Sequence, residues 1–292
     1  NLSENDMARV YVLGAGTPTP TPERFGSSFV AEFGGNQVMI DCGPAATHKL
    51  VKAGLWPTNI DYLFFTHHHF DHDVDYPCFL LCRWDQSIGK ENQLKVYGPN
   101  LTEKITQDII GENGVFAHDW IARVNSPMSQ QIHVNRGGSL PRKPPDVFAK
   151  DVTEGKVFVA DDWEVTAAIA EHAQPWLDSL AYRFDTPEGS MVFTGDTRPC
   201  KSVVDLASDA DIMFCMCWDD QEIMSENKED AGQCGTTGAA EMAQEAGVKK
   251  LVLVHTGPNL SLHGNKEKGI GDVSKIFDGE VIFSDELMVI DV

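Results

Sequence analysis

Thr66-His67-His68-His69-Phe70-Asp71-His72, set directly after the apolar run Tyr62-Leu63-Phe64-Phe65, is the stretch on which the reading of this chain turns. Four imidazoles and a carboxylate within six residues supply the nitrogen and oxygen donors used at catalytic zinc sites. The apolar run in front reads as a strand, so these donors emerge at a strand end. A tight loop aims alternate residues at one ion and the next pair at another. His67 and His69 are therefore read as sharing one ion, and Asp71 and His72 a second. The competing reading is a histidine-rich surface tract or a tag. The internal position, the preceding strand and the aspartate in register argue against it.

Outward from this loop the chain alternates strands with helices. Arg9 to Leu13 is a strand candidate running into Gly14-Ala15-Gly16-Thr17-Pro18. Those glycines do not make a dinucleotide fingerprint, because Thr-Pro-Thr-Pro stands where a third glycine would open a helix. Ser28 to Phe33 and Gln37 to Ile40, split by Gly34-Gly35-Asn36, read as a hairpin that ends at Asp41. A helix over Ala45 to Ala53 and a strand at Leu94 to Tyr97 follow. Strands near Lys156 to Ala160, Glu164 to Ile169, Leu180 to Phe184, Met191 to Phe193, Ile212 to Phe214 and Leu251 to Val254 make up the second half, with a helix over Gly238 to Ala246. From about residue 111 to 151 periodicity fades and glycines and prolines accumulate, which reads as an irregular insertion. Strand pairs and helices in both halves predict one α/β domain over residues 1–292, a four-layer αββα sandwich.

A metal pair needs more donors than one loop supplies. His172 follows the strand ending near Ala170, Asp196 follows Met191-Val192-Phe193, and His255 follows Leu251-Val252-Leu253-Val254. Any one of these alone reads as a cap or turn residue; together with the first loop they complete two coordination spheres.

The order HxHxDH, then a distant His, an Asp and a final His, resembles the metallo-β-lactamase superfamily, over nearly the whole chain. The resemblance implies that His67, His69 and His172 hold one ion, that Asp71, His72 and His255 hold another, and that Asp196 bridges them. It gives Asp41 a supporting role, hydrogen-bonded within the site rather than ligating. His68 falls at the motif's variable position. Gly14 to Pro18, Arg24-Phe25-Gly26-Ser27-Ser28, Gly195-Asp196-Thr197-Arg198-Pro199 and Ala239-Ala240-Glu241 are similar to the ribonuclease Z and arylsulfatase branch. The chain departs from ribonuclease Z where Gln233-Cys234-Gly235 replaces His-Ser-Thr and where Met216-Cys217-Trp218 replaces His-Glu-Ala. No Gly/Pro-rich tRNA-gripping arm is evident.

Two divalent ions, zinc by default with manganese or iron as alternatives, imply hydrolysis by an activated water, with Asp71 orienting the nucleophile. His263 is a candidate proton donor, and Trp176 and Trp218 are candidates for an aromatic substrate wall alongside Trp84 and Trp120. Acidic residues outnumber basic ones by 44 to 23, a net charge of −21 that repels polyanions. The expectation is accordingly a small-molecule substrate (an ester, lactone, sulfate or phosphodiester), with nucleic acid unlikely. A ribonuclease Z-like enzyme or cyclic-nucleotide phosphodiesterase is the first alternative, and a non-catalytic metal-binding sensor the second. The inserted segment is a candidate interface for a homodimer. Seven cysteines make no secreted disulfide framework, and no apolar run is long enough to span a membrane. A cytoplasmic protein is expected, with an exported protein trimmed of its leader as the alternative reading.

Overall fold

The computed structural model describes residues 7–292. The first half contains β1 (Arg9–Ala15), β2 (Ser27–Phe33), β3 (Asn36–Ile40), α1 (Ala46–Lys52), β4 (Tyr62–Phe64), α2 (Phe70–Asp73), α3 (Tyr76–Asp85), β5 (Leu94–Gly98), α4 (Thr102–Ile110), α5 (Ala117–Asn125), α6 (Pro127–Asn135) and β6 (Val147–Asp151). The second half contains β7 (Gly155–Val159), β8 (Glu164–Ile169), β9 (Leu180–Thr186), β10 (Gly189–Phe193), α7 (Lys201–Leu206), β11 (Ile212–Met216), α8 (Gln221–Glu226), α9 (Thr236–Ala246), β12 (Lys250–Val254), α10 (Asn265–Ser274), β13 (Glu280–Phe283) and β14 (Val289–Asp291).

Two seven-stranded sheets result, in the orders β14-β1-β2-β3-β4-β5-β6 and β13-β12-β11-β10-β9-β8-β7. The β2–β3 hairpin closes through Gly34 and Gly35, both at positive φ (53° and 77°). Only glycine takes two such residues without strain, and the resulting turn matches the right-handed twist of the strands. From β3 to β6 the pairing is parallel, as it is from β10 to β13. Parallel strands need crossovers, and the helices supply them.

Burial on both faces explains why these strands are apolar throughout. Ile212 and Phe214 of β11 and Val252 and Val254 of β12 face the inter-sheet core, against Phe29 and Phe64 of the other sheet. Met213, Cys215, Leu251 and Leu253 point the opposite way, under α7 and α9. In the first sheet Phe64 points inward, while Leu63 and Phe65 meet Leu50, Tyr76 and Phe79 of α1 and α3. The layers are therefore helix, sheet, sheet, helix, as the sequence predicted. Two bonds tie the sheets together at the site: the Tyr182 hydroxyl donates to the Phe65 carbonyl at 2.6 Å, and the Leu180 amide to the Thr66 carbonyl at 2.8 Å.

The stretch expected to be irregular, about 111–151, is different. It holds α5, α6 and β6, and β6 extends the first sheet parallel to β5. Ser126 starts α6 with Pro127 in its first turn, a placement that suits a proline because its missing N–H would be unpaired there anyway. Trp84, Ala117 and Trp120 form a small separate core beneath this arm.

Candidate metal centre

Every residue of the candidate site stands just beyond the C-terminal end of a strand. Asp41 follows β3, the histidine loop follows β4, His172 follows β8, Asp196 follows β10 and His255 follows β12. Asp41 and His255 are the first residues past their strands, and both take left-handed φ values (57° and 52°). Such backbone costs on the order of 1–3 kcal/mol for a non-glycine residue and persists where the surroundings enforce it. Here it turns both side chains out of the sheet and into one cluster.

Two groups of donors converge there: His67, His69, His172 and Asp196, and Asp71, His72, Asp196 and His255. Asp196 belongs to both. In the first group His67 Nε2 lies 3.1 Å and His172 Nε2 3.2 Å from His69 Nδ1. Asp196 Oδ2 lies 3.6 Å from His67 Nε2 and 3.5 Å from His172 Nε2. In the second group Asp71 Oδ2 is 3.4 Å from His72 Nε2 and 3.2 Å from His255 Nε2. Asp196 is 3.3 Å from His72 Nε2 through Oδ1 and 3.2 Å from His255 Nε2 through Oδ2. Donors about 2.0–2.1 Å from a tetrahedral ion stand roughly 3.3 Å from one another, the spacing found in both groups.

The buried atoms give the same answer. His72 Nε2 and Asp196 Oδ1 have no hydrogen-bond partner, although a buried polar atom left unpaired is costly. His69 Nδ1 also faces two ring nitrogens at once, His67 Nε2 at 3.1 Å and His172 Nε2 at 3.2 Å, a convergence of nitrogen donors suited to a cation. The donor set therefore fits a divalent cation. Zinc, manganese and iron all accept imidazole and carboxylate.

Other polar groups fix the rings. Asp41 Oδ2 accepts from His72 Nδ1 at 2.7 Å and from the Thr66 hydroxyl at 2.7 Å, and its Oδ1 accepts from the Thr66 amide at 2.7 Å. The Gly232 carbonyl accepts from His172 Nδ1 at 2.5 Å. A side chain could not replace hydrogen at Gly232, since a Cβ there would sit 2.2 Å from the His172 carbonyl oxygen. The Arg198 amide donates to the Glu171 carbonyl at 2.8 Å, Arg198 Nε bonds the Glu171 carboxylate, and the Glu171 amide donates to Thr197 Oγ1 at 3.0 Å. These bonds lock the loop of Asp196 to the loop of His172. Gly232, Thr66 and the Glu171–Arg198 pair escaped the sequence reading, because bonds made through backbone atoms leave no residue-type signature.

Without a cation the cluster is a set of opposed charges. Burial, then the neighbouring His72, holds the His67 ring well below the ordinary histidine pKa. For His72 and His255 burial acts in the same direction, but the surrounding carboxylates, Asp196 foremost, outweigh it. Both are raised, His255 to about 9. Burial likewise raises Asp71 and Asp196, and the facing histidines more than reverse it, so both carboxylates stay ionised.

The structure brings all seven predicted ligands and Asp41 together, and leaves other candidates apart. His263 lies on the surface, its side chain 97% exposed and paired with Glu267 at 3.2 Å, outside both groups. Trp218 packs on the helix-side core of the second sheet. Trp84 of α3 and Trp120 of α5 are buried in the small core that joins those helices. Trp176 stands out in solvent, 88% exposed. His68 is buried behind the loop, bonded to Asp73 at 3.1 Å and Thr102 at 2.8 Å, in keeping with a position that does not ligate.

Fold and cluster together define the class: the chain belongs to the β-lactamase superfamily and is a metal-dependent hydrolase. The family model described as the beta-lactamase superfamily domain matches residues 36–256, from the β2–β3 hairpin through His255. A ribonuclease Z of Mycobacterium sp. (strain KMS) is 27% identical over 260 residues, covering 87% of this chain and 86% of its own. Among solved structures, the metallo-β-lactamase fold protein YhfI of Bacillus subtilis superposes with a TM-score of 0.73 at 19% identity, covering 98% of this chain and 100% of its own. Human tRNase Z, short form, superposes at 0.66 and 20% identity, covering 97% and 98%. The two superpositions establish the fold.

Relatives named ribonuclease Z overturn the expectation of a small-molecule substrate with nucleic acid unlikely. That expectation rested on the net charge of −21, which describes the field far from the protein. Near a metal centre the bound cations are the largest local charges, and net charge says little about what binds there. Among the described residues no helix is long and apolar enough to cross a membrane.

Proposed function

We propose that this chain is an RNA phosphodiesterase of the ribonuclease Z kind, hydrolysing its substrate at the shared-aspartate cluster. The observation that carries the chemistry is Asp196 facing both donor groups; the relatives named ribonuclease Z support the choice of substrate. In this reading His67, His69 and His172 hold one divalent ion, Asp71, His72 and His255 the other, and Asp196 both, with zinc the first choice. Bound there, the ions polarise the phosphodiester, make water a nucleophile near neutral pH and stabilise the leaving oxygen.

The protein's own groups do the rest. Asp71 stays ionised and accepts a hydrogen bond from the attacking water, aligning it. Asp41 fixes the His72 ring so that Nε2 faces the cluster. Cys217, which stands at the glutamate position of the His-Glu-Ala that Met216-Cys217-Trp218 replaces, takes no part in proton transfer: burial pushes its thiol well above the ordinary value. Solvent reaches the cluster past His69 and His172, the half-buried members, and supplies the proton of the leaving oxygen.

The test is cleavage of a 3′-extended RNA by purified protein after chelation and re-addition of a single divalent cation, with elemental analysis alongside. Metal-dependent cleavage by the native chain, abolished in Asp196→Ala, is the expected result. Bound metal with no cleavage of any RNA would sink the reading.

A further inference from the structure

Cysteine is among the residues that proteins bury most completely, so a free thiol left in solvent calls for a reason. Of the seven here, Cys42, Cys215, Cys217 and Cys234 are buried. Cys200 is half-buried, and its sulfur lies 3.6 Å from the Thr197 hydroxyl and 3.4 Å from that of Ser202. The other two break the rule as a pair. Cys78 is exposed and Cys82 partly so, on the solvent side of α3, whose opposite face buries Tyr76, Phe79, Leu80 and Trp84. One helical turn apart, their sulfurs lie 4.0 Å from each other.

That separation suits one shared ion. Thiolates about 2.3 Å from a metal stand roughly 3.8 Å apart at a tetrahedral angle and about 4.6 Å apart in line, and 4.0 Å falls between the two. A disulfide would need the sulfurs drawn to about 2.05 Å across a helical turn. Burial, then the neighbouring Cys78, also pushes the Cys82 thiol up to about 11, so it keeps its proton at neutral pH and oxidises slowly. The donor count decides which ion. Among the described residues, both groups of three or more possible ligands lie at the histidine cluster and neither contains a cysteine, so no third protein donor joins this pair. A structural zinc site takes four ligands, and calcium and magnesium take oxygens. Two bare sulfurs suit a soft monovalent ion, Cu(I).

We propose that Cys78 and Cys82 form a second metal site, separate from the histidine cluster, which takes one Cu(I) ion between their sulfurs. On binding, each thiol releases its proton to solvent and two sulfur–copper bonds form, with no change of oxidation state. Because both donors sit on one helix, each raises the effective concentration of the other, and losing either weakens binding about 100-fold or more.

The experiment titrates the metal-loaded native chain, without air, with Cu(I) held by a chromogenic chelator, and counts all bound metals by elemental analysis. Cys78→Ser, Cys82→Ser and, as a control, Cys200→Ser are run beside it. Support would be one Cu(I) per chain with the resident metal retained, a new sulfur-to-copper absorption band, the weakening just given in either variant of the pair, and no change in Cys200→Ser. An aryl arsenical gives a second reading that imidazoles do not influence: its arsenic–oxygen group condenses with two neighbouring thiols, forming two arsenic–sulfur bonds and releasing one water. One adduct by mass on the native chain, and none on either variant of the pair, is the expected result. No copper uptake, copper gained only as the resident metal is lost, or uptake and adduct unchanged in the double variant Cys78→Ser, Cys82→Ser would each overturn the site.

Discussion

The two halves of the molecule share one backbone plan and differ in what they place on it. In each, an antiparallel pair (β2–β3, β9–β10) leads into parallel strands, and an aspartate follows the second strand of the pair: Asp41 after β3, Asp196 after β10. The next strand then diverges. β4 opens into four imidazoles, whereas β11 opens into Cys217 and Trp218, a buried thiol and a packed indole. The two aspartates take their roles from that difference. Asp41 lies behind its own half's histidines and positions one of them, while Asp196, whose following strand β11 brings no histidine, faces both donor groups. Backbone repetition sets where a site forms; the side chains at one strand end decide which aspartate works at the metal.

The comparison can be broken most severely at the two aspartates. Asp196→Ala removes a donor from both groups, so bound metal should fall at both and RNA cleavage disappear, read by elemental analysis and gel assay. Asp41→Asn should keep the donors and weaken metal affinity by only about 10- to 100-fold, the usual effect of losing a partner that orients a ligand. Equal losses in the two variants would refute the division of roles. Gly232→Ala sharpens the second half's contribution, because its methyl group would run into the His172 backbone. A stability loss of about 1–3 kcal/mol by denaturant titration, with weakened metal binding, is expected.

A pH series addresses the histidines shared between halves. His255 is raised to about 9 when no cation is present, so its charged contacts with Asp71 and Asp196 stabilise the metal-free fold fully below the ordinary histidine pKa. That contribution is lost as pH rises through about 9. The metal-free Tm should fall over this window, and metal binding below it should release protons, measurable by calorimetry in buffers of different ionisation enthalpy. The smallest effect concerns the arm that only the first half carries. Asp85 meets Arg123, Arg136 and Arg142; burial raises its carboxyl, and those arginines, Arg142 first, more than offset it to leave the pKa lowered. Asp85→Asn should cost about 0.5–1 kcal/mol and speed hydrogen exchange in α5 and α6, and acid should do the same to the native chain as pH drops through the carboxylate range.

Strands buried on both faces were legible because their apolar runs stop abruptly at chemistry-bearing residues: Tyr62 to Phe65 at His67, and Leu251 to Val254 at His255. The seven donors were readable for the same reason. What escaped was structure without a one-sided pattern. α6 exposes Met128, Ile132 and Val134 and buries His133, so its apolar residues mark no buried stripe. The edge strands β13 and β14 are short and partly exposed, and depend on partners far along the chain. The charge balance misled outright, since it is a property of the whole surface and the site is a few side chains.

Neither donor group is local. The first draws His67 and His69 from one half and His172 and Asp196 from the other; in the second, Asp71 meets His255 across 184 positions of chain. No fragment of the molecule holds a complete set, so loading must follow assembly instead of seeding it. Once in place, a cation acts as a rivet through the seam between the two sheets, and its escape is tied to how readily that seam opens.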